Sequence, residues 1–337
     1  MASLRAYVVT RLLLVLPMLL IVLSIIFVVA RILPGDPVIA VLGPKATTEE
    51  KAKMRAQLGL DKPLYQQYIT YMTGIFRGDL GRSMIFGMRP VASEIMDRFP
   101  ATLELAITSS IISAVIGLFV GAKGALSKWR EADLAARLYG IVSYSFFIPW
   151  LGIMLQILLG VWLHIFPISG RIAPDMAPTR ITGLYLLDSL ITGNLRAFGN
   201  AAWHIFLPAL TLAIVLSGIY AKLGRSSFSE VLVQDHVLAA RSRGIKAATI
   251  FRNHILRNAL VPLLTMMGLQ FALLMGGTVL TETAFSWPGM GYLIYERILY
   301  RDYNTIQGIL IFFALLVVLV NIIVDIVYAI VDPRIRF

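Results

Sequence analysis

The 337-residue sequence has no cysteine. That excludes a disulfide framework, a thiolate metal site and a cysteine nucleophile in this chain. Charge is scarce as well. Asp, Glu, Lys and Arg make up 15% of the residues, against about 25% in a soluble domain, so an ordinary water-soluble enzyme is a poor fit. Histidine occurs at only His164, His204, His236 and His254, none with a partner at metal-ligand spacing. There is no Gly-x-Ser-x-Gly elbow and no Gly-Lys dipeptide, hence no phosphate-binding P-loop. A chain without that loop does not hydrolyse ATP by that mechanism and must borrow the activity. No internal repeat or low-complexity tract is visible.

What is abundant is apolar sequence: 58% hydrophobic residues and a mean hydropathy of +0.78. It gathers into runs of the length a bilayer crossing needs, about 20 residues each. Six spans are expected, at 12–30, 101–122, 138–163, 205–221, 259–280 and 305–331. The first is too long, and lacks a small-residue cleavage site, for a removed signal peptide. With the N-terminus inside, Lys and Arg divide evenly between the two sides. Long segments translocate regardless of charge, so the topology rule is read over the short ones. Setting aside residues 31–100 leaves 15 basic residues inside against 5 outside. Acids fall 5 inside and 12 outside. The net charge of +11 is therefore mostly a topology signal with both termini cytoplasmic, and nucleic-acid binding becomes remote.

These spans divide the chain into an N-terminal transmembrane helix (1–30), an extracytoplasmic subdomain (31–100) and a core (101–337) that contains a cytoplasmic loop at 222–258. The subdomain opens on Leu33-Pro34-Gly35-Asp36-Pro37, a rigid turn. A helix follows, capped by Thr47 with Glu50 three residues on and stopped at Gly59. A second begins near Pro63. Leu64, Tyr68, Tyr71, Met72 and Ile75 share its face, which either lies on the membrane surface or packs on the bundle.

Two acids fall within spans, Glu104 and Asp325. An intramembrane carboxylate is a relay or a structural group. Glu104 sits near the outer boundary, within reach of interfacial water or Arg98. Asp325 shares a helical face with Asn321 and Tyr328, which suits interhelical polar contacts. Small residues recur every four positions at Ser109, Ser113, Gly117 and Gly121, and again at Gly268, Ala272 and Gly276. Such stripes let backbones approach closely. They mark packing within the bundle, a seam with a second subunit, or a pathway wall. After the fifth span, Phe285, Trp287, Pro288 and Gly289 suggest a compact turn at the outer mouth, an outer gate, with Trp287 suited to the interface and Pro288-Gly289 fixing the bend.

The loop at 222–258 is short, basic and amphipathic. It reads as helix, glycine turn, helix, with the break at Gly244 and the second helix from Ile245 through Arg257. By composition it is either a basic connector or a docking element for a cytoplasmic partner. Its residues resemble the signature loop of permease subunits of binding-protein-dependent ABC importers. Ala239, Ala240 and Gly244 stand at the motif positions, with Leu238 where a glutamate is usual and Pro262 as the late proline. Ala240-Arg241-Ser242-Arg243-Gly244 and Arg257-Asn258-Ala259-Leu260-Val261-Pro262 resemble the B-type permease of the dipeptide/oligopeptide branch. So do Leu58-Gly59-Leu60-Asp61-Lys62-Pro63, Gly78-Asp79-Leu80-Gly81, Ala101-Thr102-Leu103-Glu104-Leu105, Thr281 to Gly291, Arg301-Asp302-Tyr303 and Asp332-Pro333-Arg334-Ile335-Arg336. The joint order of these segments covers nearly the whole chain.

The resemblance implies an all-α polytopic membrane protein of the type I ABC importer permease fold, with six transmembrane helices, in the cell membrane of a prokaryote. It implies a second homologous permease, two cytoplasmic ATPases that bind ATP and Mg, an extracytoplasmic substrate-binding protein, and lipid around the bundle. No cofactor is expected in this chain. The docking loop would use Val237, Leu238, Ala239, Ala240, Arg241, Arg243, Gly244 and Ile245, with its energy chiefly from Val237, Leu238 and Ile245. Di- and oligopeptides are the expected substrates, with oligosaccharides or another small solute as the alternative. An ion-coupled secondary carrier would need relay groups and inverted repeats, and an intramembrane hydrolase a Ser/His or paired-Asp constellation. Neither is evident.

Overall fold

A computed structural model describes residues 4–32, 37–42, 46–57, 59–83 and 85–331. The expected turn at Leu33 to Asp36, Leu58 and the segment Asp332 to Arg336 lie outside the described residues, as do the side chains of Asp325 and Tyr328.

Among the described residues the protein is all helix, apart from one isolated bridge between Arg82 and Pro90. α1 (Leu4–Ile32) leads to the short α2 (Pro37–Leu42), α3 (Thr48–Gln57) and α4 (Leu64–Phe76). α5 (Val91–Leu126) is followed by α6 (Arg130–Ser145), α7 (Ile148–Leu155, continued by π-helical turns over Gln156–Trp162) and α8 (Tyr185–Ile191). α9 (Leu195–Leu232), α10 (Asp235–Ser242) and α11 (Ala247–Ile250) come next. α11 runs through π-helical turns at Phe251–Leu256 into α12 (Arg257–Gly277). α13 (Val279–Ala284), α14 (Met290–Leu299) and α15 (Tyr303–Val331) complete the described residues.

Four of these stretches are long and apolar enough to cross a membrane alone: α5, α9, the continuous 247–277 helix and α15. The pair α6 and α7 makes a fifth if counted as one span. The described apolar part of α1, Leu16–Val29, is shorter. The third span is thus not the single helix expected over 138–163; it is bent by 97°. Pro149 gives the reason. It has no N–H to continue the ladder, and its ring would collide with the carbonyl of Ser145, the last residue of α6. Phe146 and Phe147 are extended at the break.

Helix boundaries also differ from the apolar runs. α5 and α9 have 36 and 38 residues, about 54 and 57 Å at 1.5 Å per residue. Both outrun a hydrocarbon core of about 30 Å. Their polar ends carry no hydropathy signal, so residues 91–100, expected in the outer subdomain, are the first turns of α5.

α9 is the central helix, with 61% of its apolar window buried against 28% for α15. It runs parallel to α5, and small residues set their approach. A Cβ at Gly117 would lie 2.4 Å from Tyr220 Cβ, and one at Gly121 would lie 2.8 Å from the Ala221 carbonyl. Ser109 and Ser113 are fully buried along the same stripe. Gly268 of α12 is covered by Val324 of α15, whose Cγ2 would be 2.3 Å from an added Cβ. Gly276 differs from the expected stripe: it is exposed, with nothing within 4 Å of an added Cβ, although Met275 and Thr278 beside it are buried. Asp133 ties α6 to α9 by accepting from Arg225, and also accepts from Arg137 Nη2 at 2.7 Å.

In the outer subdomain Thr47 and Glu50 form the expected reciprocal cap: Thr47 N–H donates to Glu50 Oε2 at 2.8 Å and Glu50 N–H to Thr47 Oγ1 at 3.3 Å. The first of these bonds draws the Glu50 carboxyl below its usual range. Gly59 takes the left-handed conformation at φ 63. α4 packs on the bundle: Tyr68, Tyr71, Met72 and Ile75 meet Leu23 of α1 and Ile311 of α15. Leu64 is exposed.

Candidate functional site

At the C-terminal ends of α5 and α9, α10 and the start of α11 form the loop singled out above. α10 ends in a Schellman turn. Gly244 N–H donates to the Arg241 carbonyl at 3.0 Å and Ile245 N–H to the Ala240 carbonyl at 3.3 Å. Gly244 supplies the required positive φ, at 71, and a Cβ there would meet nothing within 4 Å. The only obstacle to substitution is therefore the backbone conformation.

The faces of α10 are not all free to dock. Val237 and Ala240 turn inward, into a cluster with Phe228, Val231, Ile250, Ile255 and Ala259. This corrects the expectation that Val237 and Ala240 belong to the docking surface. Residues 237 and 240 lie three apart on one face, and that face anchors α10 to its own bundle. The outward face carries Leu238, 49% exposed, and Ala239, with Arg241, Arg243 and Ile245, 37% exposed, around the turn. The second helix is not a separate element either. It continues through the π-helical turns into α12, making one 31-residue helix.

At the opposite end, the N-termini of α5 and α9 meet the turn after α13. Glu282 organises it. Its wholly buried carboxylate accepts from Thr102 Oγ1 at 2.6 Å, Thr278 Oγ1 at 2.9 Å, Gly291 N–H at 2.7 Å and Tyr292 N–H at 3.0 Å. It thereby caps the first turn of α14, where backbone N–H groups have no helical partner. A Cβ at Gly289 would lie 2.4 Å from Glu282 Oε2, so only glycine lets the turn close over it. Sequence reasoning placed Glu282 in a motif without giving it a role.

Trp287 is not at an interface, contrary to its expected place in an aromatic belt. It is fully buried among Ala101, Leu105, Ile205 and Ala209, and its Nε1–H donates to the Ala101 carbonyl at 2.9 Å. Phe285 is buried too. The turn is packed core because Glu282 draws it inward.

Glu104 pairs with Arg171 and not with Arg98. Arg171 donates to Glu104 Oε2 from Nε at 3.0 Å and from Nη2 at 2.6 Å, and Leu186 N–H donates to Oε1 at 2.6 Å. Arg171 also donates to the Gly183 carbonyl and stacks on Tyr185, 3.9 Å from the ring centre. A buried carboxylate so fully paired is a structural group, not a relay. In the same loop, burial pushes the Asp188 carboxyl up. Bonds from the Thr182 hydroxyl and N–H, and from Ile181 and Gly183 N–H, outweigh that and hold it low. Between these elements lies a cavity of about 350 Å³. A second, about 270 Å³, sits between α4 and α15. Among the described residues no group of three His, Asp or Glu side chains could hold a metal ion.

With four or five helical stretches long and apolar enough to cross a membrane, the protein is a multi-pass membrane protein by class. The family of binding-protein-dependent transport system inner membrane components matches residues 113–337, and its N-terminal region matches residues 4–106. The chain belongs to this family. It is 38% identical over 335 residues to the dipeptide transport system permease protein DppB of Escherichia coli K12, covering 98% of both chains. It is 38% identical to the di/tripeptide permease DppB of Pseudomonas aeruginosa, again over 98% of both. It is 37% identical to the glutathione permease GsiC of Salmonella choleraesuis, over 98% of this chain and 99% of that one. The protein is thus a permease subunit, a transport component and not an enzyme, and its system includes an ATPase and a substrate-binding protein.

Proposed function

We propose that this chain forms, with a second homologous permease, the path by which an ATP-driven importer moves di- and oligopeptides inward. Of the two cytoplasmic ATPases, one docks on the outward face of α10 and the Gly244 turn, and lipid surrounds the bundle. ATP closes the ATPase pair, the loop moves, and α12 carries that movement to the opposite end, where the binding protein delivers solute. The carrying observation is near full-length similarity to permeases whose names specify peptides. Vesicles containing the reconstituted complex test it. Labelled dipeptide should accumulate with ATP inside the ATPase compartment and ion gradients collapsed. Uptake that needed an ion gradient and ignored ATP would identify a secondary carrier, and transport of oligosaccharide but not peptide would change the substrate class.

We infer six crossings with both termini cytoplasmic. The charge distribution supports this, as does the packing of Leu23, late in α1, with Ile311, early in α15. A cysteine introduced at residue 55 should react with an impermeant reagent from outside, and one at residue 246 only from inside. The reverse pattern overturns the topology.

Coupling through the loop gives a second expectation. Gly244→Val should cost roughly 1–2 kcal/mol of local backbone strain with no steric clash. The fold should survive while the turn is misaimed. Membrane levels should stay normal, with weakened ATPase association or substrate-stimulated ATP turnover. Complexes with normal assembly, turnover and uptake would show that this turn does not couple. Because Arg241 and Arg243 are exposed, their pairs with a partner contribute only about 0.2–1 kcal/mol each. Leu238 and Ile245 should matter more.

A further inference from the structure

The 350 Å³ cavity beside the Glu282 turn has the volume of a small-molecule site, for which roughly 300–1,000 Å³ is usual. It lies among the first turns of α5, the 171–185 loop and α14. Four arginines line it, Arg89, Arg98, Arg171 and Arg297, with two acids, Glu94 and Asp97. Each acid has an arginine partner, although Glu94 Oε1 is itself buried without a hydrogen bond. Glu94 Oε2 accepts from Arg297 Nη2 at 3.0 Å, and Asp97 Oδ1 from Arg180 Nη1 at 2.7 Å. Among the described residues neither Arg89 nor Arg98 has an ion-pair partner. A positive excess therefore remains at a cavity on the acid-rich side of the chain.

Arg297 makes the second observation. It is only 6% exposed, yet its Nε and Nη1 have no hydrogen-bond partner. A buried guanidinium left short of acceptors is costly. Its plane is fixed by stacking on Phe86, 3.6 Å from the ring centre. Arg171 is held the same way on Tyr185. Stacking immobilises the flat face and leaves the N–H edge for an acceptor in the same plane. Nη2 stays on Glu94, so Nε and Nη1, on its two sides, can each give one charge-assisted hydrogen bond to a carboxylate oxygen.

The geometry points to an anion subsite in this cavity that takes the C-terminal carboxylate of the peptide being delivered. This rests on the peptide-import reading and on this end facing outside. Arg89 and Arg98 draw the carboxylate in, and Arg297 supplies buried donors at the floor. A carboxylate side chain on the binding protein would present the same chemistry.

Proteoliposomes holding the whole complex, with its ATPases and binding protein, separate the two sources. Initial uptake of a labelled alanine tripeptide is compared with that of its C-terminal amide. The binding protein's affinity for each is measured separately, so that discrimination there can be divided out. For the Arg89→Gln, Arg98→Gln double variant, uptake of the acid should fall about 10-fold through lost electrostatic attraction, with the amide little changed. Arg98→Lys, which keeps the charge, should retain most uptake and shows that the fold tolerates substitution there. If both peptides slow equally and half-saturation by loaded binding protein rises about 10-fold, the carboxylate belongs to the binding protein. Unchanged acid-to-amide preference with unchanged half-saturation overturns the subsite and leaves peptide import standing. Wild-type complex that transports neither peptide overturns the import reading itself.

Discussion

Replacing Trp287 by alanine is expected to remove most folded protein from the membrane, while the surviving molecules transport at close to the normal rate. The side chain is fully buried in the largest apolar cluster and bonded to the Ala101 carbonyl. Emptying such a site costs about 3–5 kcal/mol, against a total stability of roughly 5–15 kcal/mol. Trp287→Phe, which keeps most of the volume, should lose much less. Thermal unfolding in detergent and uptake normalised to folded complex make the measurement. Normal amounts of folded protein with normalised uptake abolished would mean that Trp287 moves in a gate.

The second large effect is expected at Arg171. Arg171→Met would leave the Glu104 carboxylate buried with only the Leu186 N–H beside it. Removing one member of a buried pair costs about 3–5 kcal/mol, mostly through the charge left behind. The double variant Arg171→Met, Glu104→Gln removes both charges and should recover a large part of that loss. A double variant no more stable than the single one would show that Arg171 contributes through the Gly183 carbonyl and Tyr185 instead. Glu104→Gln alone should leave uptake insensitive to an imposed proton gradient, as a structural carboxylate requires.

Several local features were legible in the residues. The Thr47–Glu50 cap and the Gly59 and Gly244 turns depend on neighbours within a few positions, and their chemistry follows from residue type and spacing. The close-packed stripe at Ser109, Ser113, Gly117 and Gly121 could be seen too, but not what covers it. Gly276 continues the same spacing and touches nothing, because periodicity is a property of one helix and contact is a property of two. The break in the third span could have been found in Ser145-Phe146-Phe147-Ile148-Pro149, where the proline denies the helix a donor. Hydropathy averaged over the window hid it.

The sequence by itself determined the solvent this protein folds in, the helices it must form there, and the absence of a nucleotide site of its own. Transfer of apolar runs into lipid is additive along the chain, and backbone groups in lipid must be satisfied within a helix or a closed barrel. Only the tertiary structure decided which partners the polar groups take and which faces remain free. Glu104 meets Arg171 67 residues away, and Trp287 meets Ala101 186 residues away. Val237 is withdrawn from the docking face by contacts with α9 and the helix that follows. Such pairings depend on how whole helices cross, and no local pattern specifies a crossing. The same holds for the arginines of the cavity, which come from three separate stretches of chain and acquire a common purpose only when α5, the 171–185 loop and α14 are brought together.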